Sequence, residues 1–333
     1  MKGLWKRFID YLVKTLNGMA LGLFSTLIIS VIIRQLGNLT GIDELITLAN
    51  ALRSLMGIGI GIGVAHSLQL TGLKLLVSAV AGGVATQVGA NDPVVAYLTT
   101  IAVVEFMRHV MKKKTPIDIL LIPLAGSLIA LGVALLIGQP VQAIMQAIGE
   151  FVRVSAIQQP FIVGIVVAVV MGMALTAPIS SAAIAIAITL DGIGGGAAVI
   201  GGAVQMIGFA VMSRKDNNIG GVLSIAFGTS MLQFKNIIKK PIIWLPTIIV
   251  SAILGPVSTV LLQMSTDASG SGMGTSGLVG QIATIASMGG SLSTILIIGL
   301  MHFVLPIVLV LGVDLFFRKM GWIKLGDLSL KEE

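Results

Sequence analysis

The chain has no cysteine and only 11% charged residues. The first absence excludes disulfides, thiolate metal sites and a phosphocysteine, and says little about compartment. The second excludes a soluble globular domain, because such domains carry about 25% charged residues. Short alternating polar and apolar stretches are also missing, which excludes a transmembrane β-barrel. Hydrophobic residues make up 56% of the 333 positions, and the mean hydropathy is +1.03. A soluble chain could not hide so much apolar surface, so the sequence reads as an all-α polytopic membrane protein, a single domain over residues 1–333.

The apolar runs reach roughly 20 residues, the length a helix needs to cross a bilayer. Glycine is abundant, with 41 residues; in membranes it lets helices approach closely and permits irregular backbone beside cavities. The net charge of +7 suggests nucleic acid at first sight. Lys and Arg, however, cluster in short loops between apolar runs, which is the positive-inside pattern, so no nucleic-acid partner is expected. The basic start followed by an apolar run resembles a secretory leader. That run is too long and lacks a small-residue cleavage site, so it reads as the first span.

About ten segments follow, with both termini cytoplasmic in a bacterial cell membrane. They cover residues 15–36, 45–70, 73–88, 94–111 and 117–137, then 161–177, a short 179–190, 195–212, 242–262 and 292–317. Residues 138–160 read as an interfacial helix on the outer side. The basic loops at 108–116 and 213–218 read as cytoplasmic, residues 220–240 as lying along or dipping into that face, and the Ser/Gly-rich 265–277 as a flexible outer loop. The segment 179–190 is short for a span, and a re-entrant hairpin competes with it.

Several residues stand out as candidates. "GMGTSG" at 272–277 matches a dinucleotide pattern but follows no strand, so it reads as a loop. "GIGIGIG" at 57–63 holds two G-x-x-x-G pairs, Gly57/Gly61 and Gly59/Gly63, and reads as tight helix packing. Glu105 lies within an apolar run with Arg108 and His109 on its helical face. A membrane carboxylate faces either a cavity or a structural partner. Asn91 and Asp92 precede Pro93; Asp92 either caps the next helix or lines a pocket. His66 and His302 sit in apolar runs without a ligand-spaced partner, so no metal site, cofactor or catalytic residue is expected. In "ALTAPISSAAIAIAITLDGIGGG", Pro178 breaks an apolar run beside Thr176, Ser180 and Ser181. Such breaks survive only under protein or beside a water-filled cavity, and discontinuous helices build solute sites in transporters. Thr176, Ser180, Ser181, Asn91, Asp92, Glu105, His66 and His302 are therefore the candidate solute-binding residues.

With "TAPISSAAIAIAITLDGIGGG", "GANDPVVAYLTT" and "FGTSMLQFKNIIKKPIIWLPTIIVSAILGPVSTVL" in view, nearly the whole chain resembles the membrane IIC (EIIC type 2) subunits of the bacterial phosphotransferase system. The similarity lies in the PfoR-like branch, whose members are labelled toxin regulators. The resemblance implies a homodimer of about ten-helix subunits that takes up sugars, with re-entrant hairpins beside the site. The Gly-Ile-Thr-Glu-like motif of glucose-type members is absent, and no fused IIA or IIB domain is recognised. Phosphorylation would need separate IIA and IIB proteins. The expectation is a permease for a small polar solute, sugar among the candidates, that works by alternating access. The alternative is a membrane sensor that binds a solute or partner and influences gene expression.

Overall fold

The computed structural model describes residues 2–111, 115–156 and 159–330. Among them all regular structure is helical, apart from one bridge between Gly192 and Thr266. Five helices are long and apolar enough to cross a membrane, six if one bent pair counts as a span, and four shorter apolar helices accompany them. The protein is polytopic. It forms two compact units, Met1–Ile144 and Met145–Glu333.

In the first unit, α1 (Lys2–Leu23) passes through a wide π-turn at Phe24–Ile28 into α2 (Ile29–Thr40). The expected second span is broken at Leu55 into α3 (Asp43–Ser54) and α4 (Met56–Ser67), bent by 49°. The reason is compositional: α3 carries Asp43, Glu44 and Arg53 and is largely exposed, whereas α4 is apolar and packed. After α4 come α5 (Gly72–Val88) and α6 (Pro93–His109). The glycines of α4 set the packing on two faces. A Cβ at Gly57 would lie 2.1 Å from the Gly82 carbonyl oxygen of α5, and one at Gly63 would lie 2.0 Å from that of Gly18 in α1. Only glycine allows backbones this close, so the 57–63 repeat is a helix-packing device, as expected.

Helix α7 (Asp118–Ala156) runs unbroken for 39 residues, about 58 Å at 1.5 Å per residue. The expected separate helix at 138–160 is therefore the continuation of the preceding span. Gly138, Gln139 and Pro140 read as a stop, yet an interior proline removes only one backbone bond and the helix passes through it. Residues 157 and 158 of that segment, and 112–114 of the basic loop, lie outside the described residues.

The second unit contains α8 (Pro160–Thr176), the short α9 (Ser181–Ala187), the buried α10 (Gly192–Met212) and α11 (Ile219–Leu223). The chain then makes a π-turn at Ser224–Gly228 and a 3₁₀ turn at Ser230–Gln233, and enters α12 (Phe234–Lys239). It continues through α13 (Leu245–Pro256), α14 (Ala268–Ser271), α15 (Val279–Met288) and α16 (Leu292–Gly299) to α17 (Leu305–Lys319). At seven residues α9 rises about 10 Å, far less than the roughly 30 Å of a bilayer core, so it is no span. Residues 265–277 are not a flexible loop. Gly270, Ser271, Thr275 and Ser276 are buried, because glycine and serine let this backbone pack against α9 and α10.

Candidate functional site

The centre of the second unit is polar, and the broken helix delivers one side of it. Pro178 disfavours helical backbone at the residue before it. Ala177 is accordingly extended (φ −70°, ψ 159°), and α8 ends at Thr176. The fully buried Thr176 hydroxyl lies 3.1 Å from Gln205 Oε1 and 2.8 Å from Ser230 Oγ. Gln205 lies within α10, where every residue from Gly194 to Ala210 is buried. Its Oε1 accepts from Trp244 Nε1 at 3.0 Å and lies 3.0 Å from the Thr247 hydroxyl. Indole nitrogen can only donate, so Trp244 fixes which way the amide points. Gln205 Nε2 therefore faces the other way, buried, with no acceptor among the described residues.

A second polar group ties the break to residues 265–278. Ser181 donates to the Gly272 carbonyl at 2.7 Å, and Ser271 donates to the Leu190 carbonyl at 2.5 Å. The Asp267 side chain caps α14 by accepting from Gly270 N–H at 2.9 Å. Thr275 donates to the Ala226 carbonyl, joining this hairpin to the π-turn at 224–228. A third group sits on the last span, where the backbone widens into a π-turn at Leu300–Val304. There the buried His302 Nδ1 meets Gln281 Nε2 at 2.9 Å, while His302 Nε2 and Gln281 Oε1 have no partner among the described residues.

The eight sequence candidates divide between the units. Thr176 and His302 are fully buried and Ser181 is 6% exposed, while Ser180 is half-buried at the break. In the first unit, His66 and Asn91 are exposed. Asp92 caps α6 by accepting from Val94 N–H at 2.7 Å, beside Pro93 in the first turn. Glu105 accepts from the Tyr11 hydroxyl at 2.7 Å and pairs with Arg108 at 3.2 Å and His109 at 3.2 Å. Both therefore have structural partners close by. Among the described residues no three His, Asp or Glu side chains gather as metal ligands.

Sequence reasoning missed Gln205, Ser230, Trp244 and Thr247. One signal could have found part of the set: Gly-Thr-Ser occurs at 228–230 and again at 274–276. Both copies bury their hydroxyl residues, both open a 3₁₀ turn, and Thr275 of the second donates to the Ala226 carbonyl in the π-turn that leads into the first. Short interrupted segments recurring in this way are the pattern that points to transporter binding sites.

No curated protein and no solved structure matches the chain. The family model described as "Phosphotransferase system, EIIC" matches residues 13–330, nearly the entire sequence. A multi-pass helical chain, with a buried polar cluster beside a broken helix and matched by that model over residues 13–330, belongs to the phosphotransferase EIIC family of membrane permeases.

Proposed function

We propose that this EIIC-family permease binds a small, uncharged, hydroxyl-bearing solute of the sugar class where Thr176, Gln205 and Ser230 meet, and moves it by alternating access. The observation that carries the reading is the Gln205 amide, whose oxygen is held by Trp244 while its buried Nε2 has no acceptor among the described residues. A buried donor left unmatched costs about 1–3 kcal/mol, and a solute oxygen placed there removes that cost. Thr176, Gln205, Ser230, Trp244 and Thr247 are all neutral, so the centre offers directed hydrogen bonds without a compensating charge. An ionised solute would be desolvated there at a large cost; a hydroxyl, which accepts and donates, fits. The helix break at Pro178 supplies the irregular backbone that such sites use.

The chain has no cysteine. Where transport is coupled to phosphorylation, no cysteine here can carry the phosphoryl group, and separate IIA and IIB proteins would supply it. The distribution of Lys and Arg supports cytoplasmic termini, and the family resemblance supports a homodimer.

The test is a thermal-shift and vesicle-uptake panel of hexoses, pentoses and polyols on the purified protein and on Gln205→Leu and Ser230→Ala. A true ligand at 100 times its Kd should stabilise the parent by about 2.7 kcal/mol. Gln205→Leu should abolish that gain, and Ser230→Ala should reduce it. A panel with no stabilising member, or one whose effect survives Gln205→Leu, would overturn the site. Binding without uptake would overturn the permease assignment in favour of a sensor.

A further inference from the structure

Residues 324–330 follow the last span and contain no regular helix, yet their backbone is held group by group by side chains from residues 216–240. The Asp216 carboxylate accepts from Gly326 N–H at 3.0 Å and from Leu328 N–H at 3.1 Å. Asn217 accepts from Leu330 N–H at 2.7 Å and donates to the Leu328 carbonyl at 2.9 Å. Gln233 donates to that same carbonyl at 2.9 Å, Asn236 donates to the Ser329 carbonyl at 3.0 Å, and Lys235 donates to the Leu330 carbonyl at 2.8 Å. Lys240 pairs with Asp327 at 2.6 Å. Between these contacts the Leu328 side chain is fully buried.

This is how a peptide site is built: paired contacts to backbone N–H and C=O groups give affinity, and one apolar anchor gives register. The cleft is also wired to the polar centre. Gln233, Lys235 and Asn236 continue directly from the 3₁₀ turn that begins at Ser230, whose hydroxyl meets Thr176. Asn236 donates to Gln233 Oε1 at 2.7 Å, so the cleft side chains brace one another. This segment consists of helical pieces of four to six residues, too short to be stable alone, so contacts outside it set its stability.

We propose that residues 216–240 form a receptor cleft for a short turned peptide, that its occupant is the chain's own strap at 324–330, whose backbone turns between Lys324 and Ser329, and that seating of the strap holds the turn presenting Ser230 in place. The cleft and its occupant stand on the contacts above; the consequence for solute rests on the site at Gln205 and Ser230. Release of the strap loosens that turn, which gives the protein a means of adjusting its solute site from outside it.

The absence of native cysteines makes the test direct, and the test needs no solute. In the purified full-length protein, single cysteines are introduced by Leu328→Cys in the strap, by Ala226→Cys in the braced segment and by Ser269→Cys as an exposed control, and maleimide labelling rates are measured. Both buried positions should label much more slowly than the control. Asp216→Ala/Asn217→Ala should raise both rates about tenfold or more, since labelling follows the opened population. Leu328→Asp breaks the anchor while leaving the cleft intact, and it serves where the double variant fails to fold. In that background Ala226→Cys should label fast, and excess synthetic peptide of residues 324–330 should restore slow labelling where a scrambled peptide does not. Fast labelling of Leu328→Cys in the parent would overturn the strap. An Ala226→Cys rate that stays slow once the strap is released would overturn the coupling, and failure of the peptide to restore protection would overturn the cleft. A failed sugar panel with these results intact would sink only the solute site.

Discussion

The first unit packs its helices backbone against backbone and turns most of its buried hydroxyls onto their own helices. Thr26 donates to Gly22 O at 2.7 Å and Ser78 to Lys74 O at 2.8 Å, Thr15 also meets Tyr97 at 2.7 Å, and the buried Thr99 and Thr100 hydroxyls have no partner among the described residues. The second unit has equally close backbone contacts, between Gly164 and Gly255 and between Ala168 and Gly201. Its hydroxyls and amides, however, reach across elements: Thr176 to Gln205 and Ser230, Ser181 to Gly272, Gln281 to His302. A hydroxyl bonded to its own helix is a way of tolerating polarity in an apolar medium. A hydroxyl whose partner lies on another element fixes relative position, and any atom left over is available to a ligand. The two units share their packing chemistry and differ in how far their polar groups reach across elements; the candidate site is placed in the second because the unmatched Gln205 amide stands within such a cross-element cluster.

The largest effects should come from what the units share. A Cβ at Gly22 would lie 2.2 Å from the Gly59 carbonyl oxygen, and one at Gly255 would lie 1.9 Å from that of Gly164. These neighbours are backbone and cannot rotate away, so Gly22→Val and Gly255→Val should each cost about 3 kcal/mol or more, read as a lower Tm in detergent. Gly132 has nothing within 4 Å of its Cβ position, and Gly132→Ala should unfold at the parent temperature. A parent-like Tm for either valine variant would break the shared-packing picture for that unit.

Intermediate effects should come from what differs. Ser181→Ala and Ser271→Ala each delete a bond between the helix break and the hairpin at 265–278. Each should cost about 1 kcal/mol, and somewhat more where the carbonyl is left buried and unmatched. Thr26→Val removes a hydroxyl that only serves its own helix and should cost under about 0.5 kcal/mol. Equal losses at all three positions, measured by thermal unfolding, would erase the distinction between local and cross-element hydroxyls.

What the sequence disclosed follows the range of each interaction. The break at Pro178 is a local steric effect and was legible, as were the Asp92 cap and the glycine repeat at 57–63. Gln205 was not, because its partners Thr176, Trp244 and Thr247 lie 29, 39 and 42 positions away along the chain. Within "GGAVQMIGFAVM" a single Gln has no local signature. Residues 265–277 misled for a different reason: in water Gly and Ser mark a mobile turn, whereas inside a helical membrane protein the same small residues let a turn be buried. At 138–140 the Gly-Gln-Pro signal for a helix end was overridden by apolar helix-forming sequence on either side, through which α7 continues. The helical membrane class, written in composition, was therefore readable, while the bend at Leu55, the length of α7 and the cross-element contacts that make a site were not.

A comparably small effect should be at Glu105, the one membrane carboxylate in the first unit that the sequence put forward. Its side chain is 30% exposed, and its ionic partners Arg108 and His109 are 42% and 68% exposed. Ion pairs as open as these contribute about 0–1 kcal/mol. Glu105→Gln keeps an acceptor for the Tyr11 hydroxyl and deletes only the charge, so it should lower stability by under about 1 kcal/mol. Whatever remains should shrink in 1 M salt, where the screening length falls to about 3 Å. Tyr11→Phe, which deletes the less exposed hydrogen bond instead, should lose a similar or slightly larger amount that salt does not change. Uptake should be the same in both variants as in the parent, because every partner of this cluster is a neighbour within the first unit's own packing. A Glu105→Gln protein with the parent's Tm at both salt concentrations and no uptake would mean that the carboxylate acts on solute. That result would move part of the site into the first unit and end the contrast drawn between the two.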